Sequence, residues 1–434
     1  MTGLPAQGSG DDDVIALAQQ LIRIDTSNPG GSEKPAAELV ADALDRLGAQ
    51  CRWFEPEPGR CSVVGRISGT DPSLPALLLH AHLDVVPAVA ADWTRDPFGG
   101  ELHDGFVWGR GALDMKGHIA ITLSALRNLS RQGSAPRRDV VVAFFADEEA
   151  GGTLGAAHVT AQCPELFADC SEAIGEVGGF SHTLTGGRRA YFVSTAEKGV
   201  WWARLRAIGA AGHGSMINPH NAVSTLARAL ARVADHDLGA AIPTATTTAL
   251  FDGLRDVLAE PEASDEALAN RLGHFDRMIR AGLHNTVNPT QVHGGYKTNV
   301  VPAEATAVID ARTLPGHDHA FPQQLTDLVG EAVTVETIYH GAAVQSRLDA
   351  PLLDAIGTAL HSADPMATVL PYMSTAFTDA KWLSRLGIQC YGFTPMLLPD
   401  DLDFTALFHG ADERIPASAL RFGVDVLTRL LATY

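Results

Sequence analysis

Apolar residues recur along this chain in two rhythms. Val14, Ile15, Leu17, Ala18 and Leu21 are spaced for one face of a helix, with Asp11 to Asp13 placed ahead of them as caps. Further helical stretches cover about residues 32–47, 115–129 and 155–162. Between them stand short continuous apolar runs near 61–67, 76–81 and 140–146, and another that ends at 172–176. A run that is apolar on both faces suits a strand buried within a parallel sheet. Strands alternating with helices predict a three-layer α/β domain.

The rhythm changes near residue 197. KGVWWARLRAIG alternates like a half-exposed antiparallel strand, and residues 219–233 form an amphipathic helical stretch. Residues 299–302 open a turn into ATAVIDART, a second alternating strand, followed by a helix over 319–329 and a strand over 333–339. This set predicts an inserted α+β domain over 198–345. It divides the α/β domain into residues 1–197 and 346–434, the latter closing with a helix over 417–433. Residues 241–293, richer in helix-like and turn-like positions, fall inside the insert. There is no internal repeat or low-complexity tract.

Composition supports two cores, since 434 residues exceed what one ordinary core holds. Hydrophobic residues at 46% and charged residues at 19% describe a folded globular chain. A net charge of −19 repels nucleic acid and anionic membranes, so neither is expected as a partner. Five cysteines without a C-x-x-C suit a reducing cytoplasm rather than a disulfide framework. The start, MTGLPAQGSGDDD, has no basic patch followed by an apolar stretch, and no apolar run of spanning length occurs. Neither a signal peptide nor a membrane span is therefore expected.

The candidate chemistry lies where apolar runs stop. ALLLHAHLD ends on His82 and Asp84, VVVAFFADEE on Asp147, Glu148 and Glu149, and IGEVGG carries Glu176. Ionisable groups at such places cost several kcal/mol unless they are paired or bind metal. In open α/β sheets ligands bind beyond the carboxyl ends of strands. Oxygen donors with imidazole suit a divalent metal such as zinc. His82 and Asp84, two apart on a strand, face the same way, so Asp84 can accept the imidazole N–H; the alternative is a satisfied core histidine. His80 shares that face without an acid two residues on and is read as packing. Asp114 lies in the glycine-rich bend 109–117, either capping the next helix or bridging two metals. Glu148 and Glu149, as neighbours, point in different directions, which suits one ligand and one general base; the alternative is a solvated acidic turn. His409, in LFHGADERIP, is a lone histidine. Together these residues offer two histidines and three carboxylates as ligands, plus a spare acid. That is enough for two ions sharing one carboxylate.

Eight segments in order, LLLHAHLDVVP, WGRGALDMKG, FFADEEAGG, IGEVGG, AGHGS, TNVVPAEATAVIDAR, FTDAKW and HGADERIP, resemble the co-catalytic di-zinc peptidases. These comprise aminoacylases, carboxypeptidases and succinyl-diaminopimelate desuccinylases. The resemblance runs from about residue 10 to the end. The stretch ending NTVNPTQVHGGYKTNVVP looks most like the carboxypeptidase-S-type branch. The resemblance implies a zinc-peptidase catalytic domain with an inserted lid and dimerisation domain. It implies one zinc on His82, Asp114 and Glu176, and another on Asp114, Glu149 and His409; cobalt or manganese also suits these donors. By the same likeness Asp84 orients His82 and Glu148 is the general base. His213 reaches the partner subunit's site in a homodimer and steadies the oxyanion. Asn299 and Arg312 hold the substrate's carbonyl or free carboxylate. From the residues alone, His213 reads as a polar loop residue and Arg312 as a surface ion pair.

The implied activity is hydrolysis, by metal-activated water, of an amide or peptide bond in a small substrate with a free carboxylate. N-acyl amino acids and dipeptides are the expected substrates. The alternatives are deacylation of a succinyl- or acetyl-diamine such as succinyl-diaminopimelate and, in another class, a non-catalytic binding homodimer. Against the last, every assigned ligand and the base are present. One departure stands out: PYMSTA places Ser374, Thr375 and Ala376 where the family usually has glycines. It is expected to alter the substrate rim.

Overall fold

The computed structural model describes residues 10–236 and 239–434, with the side chains of residues 10–12 outside that description. The side chains of two expected caps, Asp11 and Asp12, therefore fall outside it; the helix spans Gly10–Ile22, so residues 11–13 lie within its first turn and not ahead of it as expected. Among the described residues the main sheet has ten strands. At its centre Ala76–His82, buried at all seven positions, runs parallel to Val140–Phe145 on one side and Cys170–Gly175 on the other. Alternation along that strand builds the layers. Leu77 and Leu79 join a core with the helices Gly10–Ile22, Lys116–Arg131 and Ala417–Thr433. Ala76 and Leu78 point into a separate core with Ala156, Val159 and Leu383. Helices on both faces of this mixed sheet, whose central strands are parallel, give the expected three-layer α/β architecture.

A second sheet, of four antiparallel strands, contains Gly199–Ile208, Thr286–Gly294, Glu304–Thr313 and Thr334–Gly341. Leu205, Ala207, Ala307 and Ile309 pack its inner face against Leu226 and Leu325 of the helices Ala222–Ala234 and Ala320–Val329. Strand alternation between buried and exposed positions follows from this one-sided cover.

The packing departs from the expected 198–345 insert at one place. The helix Ala245–Leu258 buries Leu250, Phe251 and Leu254 in the larger core, as do Leu268, Leu272 and Phe275 after it. Gly253 permits this approach, because a side chain there would lie 2.6 Å from Leu370 of the main-sheet strand Ala367–Ser374. The chain thus leaves the first body near Lys198, returns to it, and leaves again. Lys198 pins both passages: its buried Nζ donates to the carbonyls of Ala281 (3.0 Å) and His284 (2.7 Å) and to Thr286 Oγ1 (2.9 Å). Among the described residues, no helix is long and apolar enough to cross a membrane.

Candidate metal centre

The three central parallel strands end side by side, and each delivers candidate ligands at or just past its last residue. His82 closes the first strand, a 3-10 turn with Glu148 and Glu149 follows the second, and Glu176 follows the third. Val177 then turns the chain at φ 58°, a conformation that a β-branched residue rarely adopts and that occurs mostly at functional sites. His82 Nε2 lies 2.9 Å from Asp114 Oδ1 and 3.4 Å from Glu176 Oε2. His409 Nε2 lies 3.2 Å from Asp114 Oδ2 and 3.3 Å from Glu149 Oε2. Asp114 thus offers one oxygen to each histidine. Among the described residues, these are the two groups whose donor atoms stand within 4.8 Å of one another: His82, Asp114 and Glu176, and Asp114, Glu149 and His409.

These separations fit a metal. Donors at zinc bond lengths stand about 3.4 Å apart across a tetrahedral angle. Buried oxygens in need of a cation are also present, since Glu148 Oε1 and Glu149 Oε1 have no hydrogen-bond partner among the described residues. The charges are strongly coupled. Burial and then the charge of Asp114 push Glu149 upward, and burial raises Glu176 to about 8. Hydrogen bonding to Asp114 and Glu149 raises His409 to about 10. Burial alone would depress His82, but Glu176 and Asp114 carry it well above the ordinary imidazole range.

Supporting contacts decide between the alternatives that the sequence left open. Asp114 does not cap the helix Lys116–Arg131: Met115 holds the cap position, without a side-chain bond. The acidic-turn role belongs to Asp147, whose Oδ2 accepts the Leu154 N–H at 2.9 Å, while Glu148 and Glu149 face the centre. Asp84 corrects its expected role. His82 Nδ1 bonds the Asp84 main-chain carbonyl at 2.9 Å, and the nearer carboxylate oxygen is 3.6 Å away. That bond still leaves Nε2 for a metal. The Asp84 carboxylate instead accepts the backbone N–H groups of Glu148 (3.0 Å) and Glu149 (3.1 Å) and the Asn28 amide (2.9 Å). His80 is buried and burial holds its imidazole down at about 3, in keeping with packing.

A cavity of about 640 Å³ opens over the cluster. Asp114, Glu148, Glu149, Glu176 and His409 form part of its lining, together with Arg312, Trp202 and Phe377. Ser374, Thr375 and Ala376 line it as well. Arg312 is engaged by Asp310 through Nε (2.7 Å) and Nη2 (2.9 Å) and stacks 5.3 Å from the Phe377 ring centre. His213 and Asn299 are absent from this lining. They sit together on an exposed two-stranded ribbon, where His213 pairs with Val300 and the Asn299 carbonyl accepts the Gly214 N–H at 2.8 Å.

The profile of peptidase family M20/M25/M40 matches residues 78–433. The chain belongs to that family. Aminoacylase-1 of Sus scrofa is 30% identical over 432 residues, which cover 98% of this chain and 95% of that protein. A protein named probable carboxypeptidase S-like 2, of Dictyostelium discoideum, is 28% identical over 402 residues, covering 85% and 74%. The fold matches that of the M20 family metallo-carboxypeptidase Sso-CP2 from Sulfolobus solfataricus at TM-score 0.75 and 17% identity, over 98% of this chain and 99% of the other. This M20 peptidase is a metal-dependent enzyme that hydrolyses amide bonds.

Three features of this M20 peptidase escaped the sequence reading. Glu413, fully buried, accepts the backbone N–H groups of Gly111 (3.1 Å), Leu113 (2.7 Å) and Asp114 (3.1 Å). It also pairs with Arg110 (2.7 Å), whose Nη2 donates to the His409 carbonyl at 3.2 Å. Lys381 Nζ, buried and without a hydrogen-bond partner among the described residues, stands 4.0 Å from Glu148 Oε1 and 3.8 Å from the Phe377 ring centre. Burial, then Glu176, pushes Glu148 well up; Lys381 opposes that shift. Arg277 lines the cavity from the helix Asp276–Ala281. HGADERIP and FTDAKW contain Glu413 and Lys381, but an acid or a lysine in a short polar segment carries no sequence mark of burial.

Proposed function

We propose that this M20 peptidase cleaves N-acyl amino acids or small dipeptides with a free carboxylate, and that two zinc ions, replaceable by cobalt or manganese, serve it. His82, Asp114 and Glu176 would hold one ion, and Asp114, Glu149 and His409 the other. The observation that carries this reading is the shared carboxylate: one buried aspartate meets both histidines, beside a glutamate that meets neither. When bound, such ions act as Lewis acids and make a water molecule easier to deprotonate.

Glu148 is the residue left to move the proton. Its free buried oxygen lines the cavity, so it takes the proton of the attacking water and passes it to the leaving amine. Arg312 holds the substrate's free carboxylate, exchanging part of its bond with Asp310 for the new anion. His213 and Asn299 lie on an exposed ribbon near the exposed Met216, Ile217 and Tyr296. We assign that face to a homodimer in which each ribbon completes the partner's cavity, and the segments 198–236 and 285–345 to a lid. Five unpaired cysteines support a cytoplasmic setting.

The test is a substrate panel with zinc-loaded enzyme: acetyl amino acids, dipeptides and succinyl-diaminopimelate. Turnover of the first two supports the reading. Turnover of the diamine derivative alone would replace it with the biosynthetic deacylase, and turnover of none would leave a binding protein.

A further inference from the structure

We propose that Arg277 forms a second anion subsite, so that the preferred substrate carries a carboxylate beyond the one held by Arg312. The inference rests on the hydrolase reading above and narrows its substrate class. Both arginines line the cavity over the metal cluster, but they come from different bodies. Arg312 lies on the strand Glu304–Thr313 of the four-stranded sheet, and Arg277 on a helix adjoining Phe275 and Ile279 of the larger core.

Their hydrogen bonding also differs. Arg312 presents Nε and Nη2 to both oxygens of Asp310, a planar bidentate pair. Arg277 is held by Nη2 alone, which donates to Asp403 Oδ1 at 3.0 Å and to Thr405 Oγ1. Its Nε and Nη1 make no hydrogen bond among the described residues, and its side chain is 58% exposed. Asp403 divides its own charge, since Oδ1 also accepts from Thr405 Oγ1 (3.0 Å) and the Ala406 N–H (3.3 Å). An arginine fixed at one corner keeps donors for a carboxylate, and it stays cationic under all ordinary conditions. The anchor matters for reach. Thr405 lies on the turn Phe404–Ala406, shortly before Phe408 and His409, which line the same cavity. An anion on Arg277 would therefore be held at a set place relative to the metal ligands. A ligand with one carboxylate occupies Arg312 and leaves Arg277 unused. An N-acyl amino acid with an acidic side chain, or with a dicarboxylic acyl group, occupies both.

Matched substrates test this in the zinc-loaded full-length enzyme. One pair is N-acetylglutamate and N-acetylglutamine; the other is N-succinyl-leucine and N-butyryl-leucine. The readout is the ratio of kcat/KM within each pair, so a general loss of activity in a variant cancels. Wild type should favour the carboxylate member of at least one pair by about tenfold or more, because a site built to bond a polar group rejects the analogue lacking it. Arg277→Met should bring that ratio near one, and Arg277→Lys should lower it several-fold. No preference in wild type, or a ratio unchanged in Arg277→Met, overturns the subsite. Should Arg277→Met lose all turnover, the ratio in Arg277→Lys decides: a several-fold fall supports the subsite and an unchanged ratio overturns it. Turnover of the neutral members without preference sinks the subsite alone. Absence of turnover on every acyl amino acid sinks the subsite, and absence on the dipeptides as well sinks the hydrolase reading.

Discussion

The Glu413 carboxylate accepts the backbone N–H of Asp114 at 3.1 Å, and through Arg110 it reaches the carbonyl of His409. One buried acid thereby fixes both the shared carboxylate and a histidine from far along the chain. Replacing such outer partners costs roughly 10- to 100-fold in metal affinity. Glu413→Gln should weaken zinc binding by that factor, measured by competition with a chromophoric chelator on protein shown to be folded by circular dichroism. Unchanged affinity would remove Glu413 from the centre's support.

Metal loading should release protons. Without metal, the neighbouring carboxylates raise His409 to about 10, and burial raises Glu176 to about 8. Both groups hold protons at pH 7 that a ligand must lose. Zinc titrations in buffers of different ionisation enthalpy should give different apparent heats, with affinity rising as pH rises. Equal heats in all buffers would contradict the protonated ligand set.

Glu33 supplies a separate pH dependence. Burial, then the charge of Asp84, raises it from 4.5 to about 7, against the opposing pull of Arg60. The folded state therefore binds more protons than the unfolded state between those values. Its stabilising contribution is fully present below pH 4.5 and is lost as pH rises through 7. The loss is at most about 3 kcal/mol. Denaturant unfolding across this range should show a steeper decline in wild type than in Glu33→Gln, where Glu176 and the other raised carboxylates still titrate. Parallel profiles would contradict the shift.

The proposed contribution of the His213 ribbon to a partner subunit's cavity has its own signature. His213→Ala and Glu148→Ala should each be inactive alone. A random mixture of the two should recover about a quarter of wild-type activity, because half of the dimers are mixed and each contains one complete site. A mixture as inactive as its components would place His213 outside the partner's cavity.

The sequence made the clustered acids and histidine legible because burial and polarity conflict there. His82, Glu149 and Glu176 stand at the ends of apolar runs, and the central strands and layers follow from the same runs. Where no such conflict exists the reading failed. Strand Gln50–Glu57 is an exposed edge, and the strands Glu101–His103, Phe106–Trp108 and Arg414–Pro416 are three residues each, too short for a rhythm. Residues 245–283 carry a helical pattern without any mark of which core it fills; Leu370 opposite Gly253 decides that. Spacing shows which side chains share a face, not that the Asp84 main-chain carbonyl lies nearer His82 than the Asp84 carboxylate does.

In the proposed function Glu148 moves the proton while its neighbour Glu149 binds metal. The direct measurement is metal content and turnover of Glu148→Ala beside wild type, on the N-acyl amino acid and dipeptide panel. The variant should keep the wild-type complement of two ions and lose at least about 10²- to 10⁴-fold in kcat, the range for a general base. A variant that loses metal, or that keeps wild-type turnover with its metal in place, would contradict this division of roles.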